Sequence, residues 1–224
     1  VGKKLFLIFN KMFTISPWAK GYYFKRYMKQ YEQALLYKYK LIGANMQVIS
    51  ATGLLVVDIQ GKLARLVEGS ESLIVNTARL VQGAKTLGLP VVWLEQNPDK
   101  LGATVPELQP LQAGTLVLAK YSFGALGEPT VADALAGTGV SHWLVCGIEA
   151  HICVYQSVLG LLASGARVSL VVDAVSSRTA ANRELAIGQL ATRGATLTSV
   201  EMCLYELMGD CRHPAFRQIL ALVK

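Results

Sequence analysis

From residue 54 onward, short runs of Val, Leu and Ile alternate with longer segments of helical period, with Gly and Pro between them. The runs LLVVDI (54–59), LPVVWLEQ (89–96), TLVLAK (115–120), HWLVCG (142–147), ARVSLVVDAV (166–175) and ATLTSV (195–200) predict six strands. Segment 72–88 places Leu73, Leu80, Ala84 and Leu87 at helical spacing and ends in Gly88, a helix stop. Further helices are predicted at 130–136, 151–164, 182–193 and 215–223. Strands that are apolar throughout, rather than alternating, need cover on both faces. Strand–helix alternation with right-handed crossovers then gives an α/β fold, a three-layer α/β/α domain around a central, mainly parallel six-stranded sheet.

In such sheets ligands bind beyond the carboxyl ends of the strands. Polar residues are few there: Asp58 and Gln60 after the first strand, Glu95 and Gln96 after the second, Lys120 after the third, Cys146 to Cys153 after the fourth and Asp173 after the fifth. A carboxylate can accept a thiol proton, an ammonium can favour the thiolate, and a thiolate can attack a carbonyl carbon. A cysteine in the first turn of a helix also gains the positive end of the dipole and free N–H groups for an oxyanion. Taken singly, the strand-end Asp is often a loop anchor, the lysine a solvated charge and the cysteine a small buried apolar residue. Their meeting at one sheet edge is the stronger observation.

Charge separates the chain into two texts. The formal net charge is +7, but residues 1–45 hold nine Lys or Arg against one acid, Glu32, leaving thirteen basic and fourteen acidic side chains over 46–224. The patterned part thus carries no footprint for nucleic acid. Residues 1–45 also hold eleven of the eighteen aromatic residues and show no clear period. They read as a basic aromatic leader, non-native or peripheral, with Met46 as the working start of the domain 46–224. KKLFLIFNKMF suits a membrane surface but is too short to span a bilayer, so stable membrane insertion is not expected. The four cysteines, Cys146, Cys153, Cys203 and Cys211, form no CxxC pair and no zinc spacing, which suits a reducing cytoplasm.

LLVVDIQ, LAKYSF and CGIEAHICV, in that order and spacing, resemble the isochorismatase-like cysteine hydrolases, a family that includes the nicotinamidases. The resemblance covers roughly residues 50–208. It implies a catalytic triad of Asp58, Lys120 and Cys153, and a cis peptide bond at Ile148–Glu149. That bond would turn the Glu149 N–H toward the Cys153 N–H to form an oxyanion hole. Nicotinamidases also carry a metal-binding Asp and His cluster after the second strand, whereas EQNPDKLGATVPEL (95–108) has no histidine. The chain is therefore closer to the metal-free isochorismatase-domain subgroup, with no metal and no cofactor expected. Phe123 and Ile148 are candidates for an apolar pocket wall, and Gln60, Glu95 and Tyr121 for polar contacts; each reads equally well as ordinary packing. His151 is read as a helix-start residue near the site rather than a base.

These readings converge on hydrolysis of a small amide or related acyl substrate through a thioester on Cys153, in a homo-oligomer. True isochorismatases cleave a vinyl ether without needing a cysteine nucleophile, so the cysteine with its lysine favours acyl chemistry. A non-catalytic binding protein on the same scaffold stays open. Aspartyl phosphotransfer at Asp58 is disfavoured, because DIQGK lacks a second acid two residues on for Mg²⁺.

Overall fold

The computed structural model describes residues 48–224; the leader reading for 1–45 lies outside them. Among the described residues, six strands form one sheet: β1 (Thr52–Val57), β2 (Val91–Gln96), β3 (Leu116–Lys120), β4 (His142–Gly147), β5 (Arg167–Val175) and β6 (Thr196–Thr198). Their order is β3-β2-β1-β4-β5-β6, and every neighbouring pair is parallel. All six apolar runs are strands. The first starts two residues before the expected run and stops before Asp58, and the last is cut to three residues because a helix begins at Val200.

Among the described residues, eight α-helices accompany the sheet: α1 (Leu63–Leu66), α2 (Ser70–Thr86), α3 (Pro98–Leu101), α4 (Pro129–Gly137), α5 (Tyr155–Ala163), α6 (Ala180–Thr192), α7 (Val200–Met208) and α8 (Phe216–Val223). The five expected helices correspond to α2, α4, α5, α6 and α8. The sequence reading passed over α7, whose N-terminus is doubly capped. Ser199 Oγ accepts from the Met202 N–H at 3.2 Å, and Asp173 Oδ1 accepts from the Val200 N–H at 2.9 Å. Asp173, noted as a strand-end acid, is therefore a helix anchor.

The strand period sorts side chains onto the two faces. Leu54, Val56, Trp93, Leu144 and Cys146 join one buried cluster with α2, α7 and α8; Leu55, Val57, Val92, Leu94, Trp143 and Val145 join the other, with α4, α5 and α6. Helix α2 buries Leu73, Thr77, Leu80 and Ala84, one stripe spaced by three to four residues. It ends as predicted: Gly88 takes φ +74°, and the Leu89 N–H reaches back to the Ala84 carbonyl at 2.9 Å.

From β1 the chain builds outward through β2 to β3, then crosses to lay β4 on the other side of β1. That reversal opens a crevice between the carboxyl ends of β1 and β4, where open α/β sheets bind ligands. Among the described residues, no helix is long and apolar enough to cross a membrane.

Candidate active site

Asp58 is the first residue past β1. Its φ of +53° lies in the left-handed region, which a non-glycine residue enters at a cost of about 1 kcal/mol. The cost is met locally: the Asp58 N–H donates to the Leu94 carbonyl at 3.1 Å, and the Asp58 carbonyl accepts from Gln60 at 2.9 Å. Beside it Gly147 closes β4 with φ +122°, where a Cβ would stand 2.0 Å from the Val57 carbonyl oxygen. The close approach of β1 and β4 at the crevice thus requires glycine at 147.

Lys120 ends β3, and β2 lies between it and β1. Strands two apart are separated by roughly 10 Å, a gap that a long side chain can bridge. Lys120 does so: Nζ donates to Asp58 Oδ2 at 2.7 Å, with the lysine fully buried and the aspartate 2% exposed. Gln96, in register with Lys120 at the end of the intervening strand, accepts from the same ammonium through Oε1 at 2.6 Å. The Ser122 and Phe123 carbonyls stand 3.3 and 3.2 Å from Nζ. Four oxygens thus compete for three N–H groups, and protein dipoles replace the water a buried ammonium loses.

Cys153 reaches this pair from the opposite side of β1. It is 8% exposed, and its thiol stands close enough to Asp58 and Lys120 for both charges to act on it. The segment Ala150–Val154 that carries it is a turn of π-helix leading into α5, not the first turn of a regular α-helix. The Ile148–Glu149 bond before it is cis. The Ile152 and Val154 N–H groups both donate to the Glu149 carbonyl, at 3.0 and 3.2 Å.

The electrostatics correct one expectation. Lys120 and the helix start were read as favouring the thiolate, but burial, followed by the charge of Asp58, pushes the Cys153 thiol up to about 12. Lys120 pulls the other way and is outweighed. Burial also raises Asp58, against the opposing pull of Lys120. The resting sulfur therefore holds its proton, next to the Asp58 side chain. Asp58 Oδ2 is held by Lys120, whereas buried Oδ1 has no hydrogen-bond partner among the described residues.

The five pocket candidates separate. Tyr121 and Phe123, following Lys120, are 62% and 54% exposed. Gln60 and Ile148 are fully buried. The Gln60 amide accepts from the Gln96 N–H at 2.6 Å and donates to the Gly102 carbonyl at 2.6 Å, tying the β2 end to the following loop. Glu95 accepts from the N–H and hydroxyl of Thr104, at 2.8 and 2.7 Å. His151 Nδ1 pairs with Ser177 Oγ at 3.0 Å. Gln96 was noted at a strand end but not assigned to the site. Period two puts Glu95 and Gln96 on opposite faces, and the pairing of Gln96 with Lys120 was the signal that distinguishes them. Among the described residues, no group of three or more His, Cys, Asp or Glu is placed to hold a metal ion.

Known proteins are similar to this chain in both sequence and architecture. Isochorismatase domain-containing protein 1 of Salmo salar is 36% identical over 136 residues, 61% of this chain and 48% of the relative. The chain thus spans about half the length of that curated relative. A solved structure of MAR1 ribonuclease from Caenorhabditis elegans is 35% identical and superposes with a TM-score of 0.75, covering 80% of this chain and 92% of that one. The YcaC gene product of Escherichia coli, described as an octameric hydrolase of unknown specificity, shares the fold at 23% identity and a TM-score of 0.72, over 79% of this chain and 95% of that one. The isochorismatase domain model matches residues 52–202, from the start of β1 into α7 and so across every residue of the site, and on that match the chain belongs to the isochorismatase family.

Proposed function

We propose that this protein is a cysteine hydrolase that cleaves a small amide or related acyl compound through a thioester on Cys153. The observation that carries the reading is the convergence of one thiol, one carboxylate and one ammonium at the sheet's switch point, with Lys120 Nζ 2.7 Å from Asp58 Oδ2. Because Cys153 rests as the thiol, its proton passes to Asp58 as sulfur attacks the substrate carbonyl carbon. The carbonyl π electrons move to oxygen, and the backbone N–H groups of Glu149 and Cys153 are the proposed donors to that oxyanion. Collapse of the tetrahedral intermediate breaks the C–N bond, and the departing amine takes the proton from Asp58. Water, deprotonated by Asp58, then attacks the thioester, releasing the acid and restoring the thiol.

Lys120 fixes the Asp58 side chain through its hydrogen bond and balances the charge of the site, which sits on the carboxylate while Asp58 is ionised and on the substrate oxyanion while Asp58 holds the proton. Tyr121 and Phe123 are the proposed pocket wall, being the two candidates whose side chains face outward beside the lysine. The Caenorhabditis elegans relative is named a ribonuclease. Residues 46–224 balance thirteen basic with fourteen acidic side chains, so they offer no track for a polyanion, and a small molecule is the substrate class proposed. The four free cysteines fit a reducing compartment such as the cytoplasm. The octameric Escherichia coli neighbour, together with exposed Leu116 and Val117 on edge strand β3, supports self-association.

The test is turnover of a panel of small amides by the wild type, Cys153→Ser and Asp58→Asn, with and without a chelator. Loss of activity in both variants and indifference to the chelator are expected. Activity that survives Cys153→Ser but dies with Asp58→Asn would instead indicate acid-driven vinyl-ether chemistry.

A further inference from the structure

The turn that carries Cys153 is tied to the loop after β5 by two side chains, His151, whose Nδ1 pairs with Ser177 Oγ at 3.0 Å, and Glu149, which alone carries a charge. The Glu149 carbonyl holds the turn from within, accepting from the Ile152 and Val154 N–H groups at 3.0 and 3.2 Å. Its carboxylate holds the turn from outside. Glu149 is 5% exposed, and Oε1 accepts from both the backbone N–H and the Nε of Arg178, at 3.1 and 3.0 Å. Arg178 lies in the loop between β5 and α6, and that loop is fastened to the same region by two further bonds. The Ala150 N–H donates to the Ser176 carbonyl at 2.8 Å, and the Ser176 N–H to the Gly147 carbonyl at 3.3 Å. The charged half of the lock sits at the surface, with the Arg178 side chain 57% exposed, while its other half is buried against the nucleophile's turn.

We propose that Arg178, acting through the Glu149 carboxylate, is a positioning residue that holds the Cys153 turn against Asp58. The arginine touches neither substrate nor sulfur; it sets where sulfur stands. The inference rests on the reading of Cys153 as nucleophile, but the geometry that carries it is independent of any substrate. A buried carboxylate needs its charge-assisted donors, and removing one frees the group to seek water and to drag its backbone with it. The groups that act electrostatically on the thiol are Asp58 from the end of β1 and Lys120 from the end of β3. Any outward shift of the turn takes sulfur away from both and toward solvent.

The experiment uses the full chain with Arg178→Gln and Arg178→Lys, and iodoacetamide as the probe. Hydrogen exchange at Ile152 and Val154 should quicken at least about tenfold in Arg178→Gln, with global unfolding little changed. The alkylation profile of Cys153 should move to lower pH than in the wild type as the turn moves into water, because burial is what raises the thiol most. Arg178→Lys, whose ammonium can still donate to Oε1, should restore both readouts in part. A merely structural arginine would lower global stability without moving the alkylation profile. Exchange and profile both unchanged in Arg178→Gln would overturn the proposal. Should the wild type form no acyl adduct on Cys153 while Arg178→Gln still shifts the profile, the lock stands and the hydrolase reading fails.

Discussion

At the scale of single residues the site turns on which group owns the proton. Cys153 is raised by burial first and by the Asp58 charge second, so Asp58→Asn should make the thiol more acidic while destroying turnover. An iodoacetamide pH profile of Asp58→Asn displaced to lower pH than the wild type, in a protein inactive on amides, is the expected pair of results. Lys120→Met should act differently. It leaves a buried carboxylate without its cation and should cost about 3–5 kcal/mol in urea unfolding, the usual penalty for breaking one side of a buried pair. Asp58 and Lys120 were legible in the sequence because each stands at a strand end in a chain with few polar residues there, and Cys153 because it follows the fourth strand; their joint role came with the resemblance of LLVVDIQ, LAKYSF and CGIEAHICV. The raised thiol was not legible, since burial is a property of the packed molecule. The sequence places both Glu95 and Gln96 at the end of the second strand, and only the register shows that the lysine goes to Gln96.

Secondary-structure elements were easiest to read where apolar runs are long. β4 has the boundaries expected, and α2 ends at the glycine that the pattern marked. α7 escaped because TLTSV reads as one extended run, whereas Asp173 and Ser199 cap a helix from its second half. The bond between β4 and β5 gives this scale its own prediction. His142 is buried at the start of β4, with Nε2 2.8 Å from Ser169 Oγ, and burial followed by the charge of Arg167 lowers it to about 4 from an ordinary 6.5. The neutral ring's contribution is present above pH 6.5 and is lost as pH falls toward 4, where the unfolded chain binds a proton that the folded one refuses. The loss amounts to something on the order of 3 kcal/mol. Denaturant unfolding across that window should show a steeper pH dependence in the wild type than in His142→Gln; parallel curves would refute the assignment.

For the whole molecule, the fold followed from alternation alone, because fully apolar strands between helices leave few arrangements other than a covered parallel sheet. Substrate identity did not follow, since Tyr121 and Phe123, the proposed pocket wall, are common types whose role depends on where Lys120 and the crevice stand. The leader is a proposal of another kind. The family match begins at Thr52, so a chain beginning at Met46 should unfold cooperatively and lose the basic excess. Aggregation of that truncated chain would show that residues 1–45 belong to the domain.

The central claim is that Cys153 becomes acylated. The direct measurement is intact mass after brief incubation with small amides and acid quench, followed by peptide mapping. The predicted result is an acyl increment on the peptide carrying Cys153, absent in Cys153→Ser. Turnover of an amide with no increment on Cys153, or an increment on Cys146, Cys203 or Cys211 in its place, would contradict the mechanism.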